Sequence, residues 1–133
     1  MSTLKGFTLI ELLVVIIIIG ILAALAMPGF GVSKERVLDK EAKANLALIR
    51  AAEGVYKMES GFYYPYSGNT AVITDINTYL RLDLPTGTLN WDYKVDTDNS
   101  QTTASRTPSA SRVWTLPYAS GSTTTCTGTA CPP

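Results

Sequence analysis

Hydrophobic and polar positions follow three different rules along this chain. From Phe7 to Met27 almost every side chain is apolar, and Thr8 and Glu11 are the only polar ones. These 21 residues, at about 1.5 Å of helical rise each, would cross a hydrocarbon core of about 30 Å. From Ser33 the pattern becomes amphipathic. Leu38, Ala42, Leu46, Ile49, Ala52 and Tyr56 recur at helical spacing, which predicts a helix to about Glu59 with Ser33 as its N-cap and Glu35 in its first turn. Asp39 with Lys43 and Glu53 with Lys57 are favourable i, i+4 pairs, Arg36 with Lys40 is not, and the charges are expected mostly to solvate the outer face. Ser60-Gly61 should stop the helix.

Beyond Gly61 the period shortens to two. Leu89 to Asp96 alternates apolar and polar residues, so Leu89, Trp91, Tyr93 and Val95 should face the core of an antiparallel sheet. Arg112 to Tyr118 alternates through Trp114, Leu116 and Tyr118, and Pro117 marks an edge strand or a strand end. Thr97 to Ser111, between them, reads as an exposed, mobile Ser/Thr-rich loop. Thr74 is the expected cap of a short helix carrying Ile76 and Leu80 and ended by Pro85 and Gly87. The stretch FYYPYSG, Phe62 to Gly68, is better explained as aromatic cover for the helix–sheet junction than as a ligand-stacking or electron-hopping site, because aromatic rings supply large buried area wherever they pack. The fold class is α+β, a long N-terminal helix on a small antiparallel β-sheet head.

Composition changes this picture little, but it narrows the chemistry. The chain has 133 residues, 11 basic and 11 acidic, and no histidine. The charge balance and the lack of any Lys/Arg run argue against nucleic acid as the main ligand. Without histidine the commonest general base and metal ligand are both missing, so no catalytic residue, metal or cofactor is assigned.

Glu11 is the position that needs an explanation. A carboxylate in a bilayer core costs on the order of 3 kcal/mol, and a plain membrane anchor offers no reason for it. A cleaved secretory signal would account for Lys5 and for Ala24-Leu25-Ala26 as a cleavage site, but not for Glu11, nor for an apolar run longer than the usual core of about 7 to 15 residues. Cleavage between Gly6 and Phe7 would instead place a new α-amino group one helical turn before Glu11.

That arrangement, a short basic leader ending in Gly6 and then Phe7-Thr8-Leu9-Ile10-Glu11 opening a long apolar helix, resembles the type IV pilin superfamily, which includes the type II secretion pseudopilins. The resemblance runs from Gly6 to Pro28. It implies that prepilin peptidase cuts after Gly6, that the new amine of Phe7 is N-methylated, and that Glu11 pairs with that amine on a neighbouring copy during assembly. A carboxylate and an ammonium attract strongly in a low-dielectric core, either alone is penalised, and the first helical turn favours a negative charge.

The resemblance also orders the domains: leader 1–6, transmembrane or filament-core helix 7–28, amphipathic helix 29–60, and β-sheet head 61–133. Gly20 and Pro28 recur in the superfamily as points of helix flexibility, and Gly29 and Gly31 strengthen the break. A plain kink and a functional hinge both remain open there. Pilins often close a C-terminal loop with a disulfide, usually a larger one. Outside the cytoplasm Cys126 and Cys131 make a disulfide a better reading than a metal site, because two thiols without histidine cannot complete four ligands. Asp96 and Asp98 begin like a calcium loop, yet the glycine and closing glutamate of an EF-hand are absent, and a solvated turn explains them better.

The implied function is a structural subunit of an extracellular or periplasmic filament, a type IV pilin or alternatively a type II secretion pseudopilin. Its partners would be further copies of itself, prepilin peptidase and an inner-membrane assembly platform. It would lie in the inner membrane before assembly. A secreted protein with a cleaved signal is the remoter alternative. Mass spectrometry of the mature protein should find Phe7 as the first residue; a start at Met27, or an intact Met1, would exclude the pilin-like reading.

Overall fold

The computed structural model describes residues 6–26, 30–65, 70–86, 90–96, 100–108 and 111–132. The chain separates into two units, Met1–Val37 and Leu38–Pro133. Helices α1 (Leu9–Ala26) and α2 (Phe30–Ser60) are followed by β1 (Thr70–Val72), α3 (Ile73–Tyr79), β2 (Trp91–Asp96), β3 (Gln101–Arg106), β4 (Val113–Pro117) and β5 (Thr125–Thr127).

Helix α2 starts three residues before the expected cap, so Ser33 lies inside its first turn. Gly31 does not prevent this, because glycine costs a helix only about 1 kcal/mol and does not forbid it. The end falls where the sequence puts it. The Gly61 N–H donates to the Lys57 carbonyl at 2.8 Å, and Gly61 has φ 88°, a left-handed conformation that a residue with a Cβ adopts only at a cost.

The head is a five-stranded antiparallel meander in the order β1-β2-β3-β4-β5. Leu38, Ala42, Leu46 and Ile49 of α2 are buried together with Trp91, Tyr93, Val95, Ala104, Trp114 and Leu116 of the sheet. Among the bonds that tie helix to sheet across this core, the Trp91 indole donates to the Leu38 carbonyl at 3.0 Å, and Asn45 donates to the Tyr93 hydroxyl at 2.8 Å. The alternation expected for β2 and β4 is present, and Pro117 is the last residue of β4, a strand end. Leu89 and Gly87 lie outside the described residues.

Four expectations need correction. The segment expected as a mobile loop contains β3, the central strand, with Thr102 and Ala104 buried. Ala104 stands between Tyr93 and Trp114, where a small side chain makes room for two large ones, and the Thr102 hydroxyl donates to the Lys94 carbonyl at 3.1 Å, so neither position needs to be strongly apolar. The Ser/Thr-rich C-terminal stretch, where the hydrophobic pattern predicts no strand, contributes β5, paired to β4 with Trp114 opposite Cys126. Thr74 lies within α3; Val72 occupies the cap position without a side-chain bond. The helix ends before Pro85, and Asn77 holds the chain that follows by donating to the Leu84 carbonyl at 2.7 Å and accepting the Leu84 N–H at 2.9 Å.

The fourth correction concerns charge. Asp39 and Glu53 do not point outward toward Lys43 and Lys57; both are buried in the head. Asp39 Oδ1 meets the Arg112 guanidinium at 3.1 Å and accepts from the Trp114 indole at 2.9 Å, while Lys43 lies over the Trp114 ring at 3.9 Å. Glu53 accepts the Tyr64 N–H at 2.9 Å, and Lys57 lies over the Tyr63 ring at 4.1 Å. Tyr64 in turn stacks on Tyr79 at 4.6 Å and Tyr63 meets Tyr118 at 4.7 Å, so residues 62–65 do cover one end of the core. Tyr66, Ser67 and Gly68 fall outside the described residues, as do Asp98 and its neighbours 97 and 99.

Cys126 and Cys131 form a disulfide with Cα atoms 5.8 Å apart. The loop it closes is seated on the segment before β4, where Ala130 N–H donates to the Ser111 carbonyl at 3.2 Å and Arg112 donates to the Ala130 carbonyl at 3.3 Å. Gly128, at φ 123°, passes so close to the Ser111 carbonyl that an added Cβ would collide with it.

Two outcomes are expected. Asp39→Ala strands the buried Arg112 charge and the Trp114 N–H, a loss of about 3 to 5 kcal/mol that a melting-temperature measurement should record as a large drop. Burial pushes the Glu53 carboxyl up from 4.5 to about 7. A folded-state pKa above the unfolded one favours the folded state most at low pH, and this contribution fades as pH rises from about 4.5 to 7. Denaturation midpoints should therefore fall across that window, and Glu53→Gln, which still accepts the Tyr64 N–H, should flatten that part of the slope.

Candidate assembly site on the N-terminal helix

Gly6, Phe7 and Thr8 precede α1 in non-helical conformation, and all three are exposed. The peptide bond between Gly6 and Phe7 is thus accessible. Residues 1–5 of the expected leader lie outside the described residues.

Helix α1 has no buried residue. By length and composition it can cross a membrane. Its β-branched run, Val14 to Ile19, would be a poor helix former in water, but in an apolar phase the helix satisfies every backbone group internally, which makes it the favoured spanning structure.

Its N-terminus is closed by Thr8 and Glu11 acting on each other. The Thr8 backbone N–H donates to Glu11 Oε2 at 3.1 Å, and the Thr8 hydroxyl donates to the same oxygen at 2.8 Å. The Glu11 N–H donates back to Thr8 Oγ1 at 3.3 Å. This is a reciprocal capping box, which satisfies donors that a helix start otherwise leaves open. Both contacts end on Oε2, and among the described residues none is made by Oε1. Glu11 therefore has a partner within its own chain, which the sequence reading did not identify. The signal was present, since Thr-x-x-Glu before an apolar run is the pattern of a capping box.

Phe7 stands beside this carboxylate. Phe7, Ile10, Glu11, Val14 and Val15 bound a shallow hollow on the helix surface, so one acidic group lies in an otherwise apolar depression. Chemically, a carboxylate with one oxygen engaged can take a further donor, such as a single ammonium, on Oε1. Among the described residues no group of three or more His, Cys, Asp or Glu is arranged to hold a metal.

None of the remaining predicted positions is among the residues that bound this hollow. Gly20 lies within α1 with open space around it, so no close approach requires a glycine there. Pro28 and Gly29 lie outside the described residues. Cys126 and Cys131 belong to the head.

Residues 1–27 match the family model described as the prokaryotic N-terminal methylation motif. The chain is 43% identical over 63 residues to the type IV major pilin protein PilA of Myxococcus xanthus, covering 47% of this chain and 29% of that protein. It is 37% identical over 59 residues to the type II secretion system core protein G of Escherichia coli, covering 44% of this chain and 41% of that protein. The corresponding protein of Pseudomonas aeruginosa is 43% identical over 61 residues, with 46% and 42% covered. The chain thus spans less than half the length of these relatives, and no solved structure matches it. Over its N-terminal part the chain is thus similar to both kinds of protein, a type IV pilin and type II secretion core proteins.

Proposed function

We propose that this chain is the structural subunit of a helical filament and, more narrowly, of a type IV pilus. One observation carries the reading: apart from Glu11 α1 is apolar and uncovered, and that single charge stands in the first turn beside the residue that cleavage would turn into an N-terminus. An apolar helix with no cover of its own needs either lipid or other helices around it. A filament core supplies the second.

In this reading prepilin peptidase cuts after Gly6, Phe7 is N-methylated, and α1 holds the subunit in the inner membrane. Thr8 keeps the Glu11 carboxylate hydrogen-bonded meanwhile, which lowers the cost of a charge in the apolar phase. At an assembly platform Glu11 accepts the Phe7 ammonium of a neighbouring copy on the oxygen that Thr8 leaves open, and the pair fixes the register of the incoming subunit. The function is structural and the chain is not an enzyme. A second reading, a type II secretion pseudopilin, is favoured by relatives of that kind at comparable identity. Shearing cells and imaging the supernatant separates the two: long detached fibres containing this chain support the pilus, and their absence from cells that secrete through it supports the pseudopilus.

Glu11→Val should leave the subunit cleaved and at normal level in the membrane, because an apolar residue there costs nothing. Filaments should be lost. The incoming ammonium would meet no counter-charge, a penalty of about 3 to 5 kcal/mol and hence at least about a hundredfold in assembly. Fibre counts from cleaved variant protein equal to those of the unaltered chain would overturn the pairing.

A further inference from the structure

A buried carboxylate is ordinarily held by several donors or by a cation. Glu53 has a single donor. Its side chain has no exposed surface, Oε2 accepts the Tyr64 N–H at 2.9 Å, and Oε1 is buried without a hydrogen-bond partner. The cations on its own helix are committed elsewhere: Arg50 donates to the carbonyls of Ala119 at 2.6 Å and Ser122 at 3.1 Å, and Lys57 lies over the Tyr63 ring at 4.1 Å.

The hydroxyl of Tyr118 is in the same position, buried and without a partner. The two groups share one end of the core. Tyr118 meets Tyr63 at 4.7 Å, Tyr63 adjoins the Tyr64 that holds Glu53, and the charge of Glu53 acts on the Tyr118 hydroxyl. An ionised carboxylate only accepts, whereas a neutral one carries an O–H and can also donate. We propose that Glu53 is a proton-operated latch: as the neutral acid it donates from Oε1 to the Tyr118 hydroxyl while accepting the Tyr64 N–H, which keeps residues 62–65 closed over the end of the core, and loss of that proton to water lets them open.

Three observations favour the latch. The first is the charge around it. Asp75 and Tyr79 from α3 and Tyr56 from α2 act on Tyr64, and Asp96 at the end of β2 and Tyr63 act on Tyr118, so the acids that face this corner oppose a further negative charge. The second is desolvation, which pushes the Glu53 carboxyl up to about 7 and outweighs the Tyr64 bond that pulls the other way. The third is how lightly the cover is held. Residues 62–65 belong to no helix or strand, and they rest on ring contacts, Phe62 on Tyr56 at 6.1 Å, Tyr64 on Tyr56 at 5.7 Å and Tyr64 on Tyr79 at 4.6 Å, so they can lift without breaking the sheet.

The sign follows from linkage. Closed, Glu53 keeps its proton to about pH 7; open and solvated, it returns to its ordinary value of 4.5. Closure is therefore favoured most at low pH, and the preference fades as pH rises between those two values.

The test uses the full-length chain in detergent. Hydrogen exchange at the Tyr64 amide, expressed as protection relative to free peptide, should fall at least about tenfold between about pH 5 and about pH 8, and should stay below that of Ala104 in β3 throughout. Glu53→Gln, whose amide accepts and donates as the neutral acid does, should keep Tyr64 protection constant across that range. Tyr118→Phe removes the acceptor of the neutral form and should lower the midpoint of the fall by about one pH unit. Infrared spectra of the unaltered chain near pH 6 should show a protonated carboxyl band. Tyr64 protection that ignores pH or equals that of Ala104, an equal fall in Glu53→Gln, an unmoved or raised midpoint in Tyr118→Phe, or no such band would each overturn the latch. None of these outcomes bears on the filament reading.

Discussion

A carboxylate taken out of water must be met by donors, and three carboxylates organise this chain. Asp39 joins α2 to β4 through Arg112 and Trp114, and Arg112 carries the link on to the disulfide loop at Ala130. Glu53 fastens the aromatic stretch after α2 by its bond to Tyr64. Glu11 closes α1 with Thr8. Each is a point where apolar packing alone would leave the geometry loose and where a polar group with few acceptable partners selects one arrangement.

These same residues mark the limit of what the sequence reveals. Strands β2 and β4 are legible because Trp91, Tyr93, Trp114 and Leu116 alternate strictly with polar residues, and the stop at Gly61 is legible because the turn requires its conformation. Asp39 and Glu53 are not legible because an i, i+4 pattern gives relative positions on a helix and not which face the head covers; Asp39 and Trp114, with a sequence separation of 75, are joined only by the fold. Strand β3 escaped because its inward residues, Thr102 and Ala104, are chosen for what surrounds them: a hydroxyl that finds a carbonyl, and a methyl that yields space to Tyr93 and Trp114.

The candidate site was legible in a different way. Gly6, Phe7 and Glu11 stand out because their chemistry conflicts with their surroundings, and that conflict is visible without a fold. Thr8 is visible too, but a lone threonine in an apolar run reads as one more polar residue unless its spacing of three from Glu11 is set against the capping-box pattern. The capping box gives the carboxylate a local partner in Thr8, with both contacts on Oε2.

The sheet ends in two strands of only three residues, β1 and β5, and β5 is pinned through Cys126. Open strand edges are templates on which other chains add by backbone pairing, and the hazard grows with local concentration. A protein whose copies crowd side by side would meet that hazard constantly, through a route of association that ignores side chains and therefore has no fixed stoichiometry or register. Edges this short offer little to pair with, so identical heads can be crowded together and remain separate bodies.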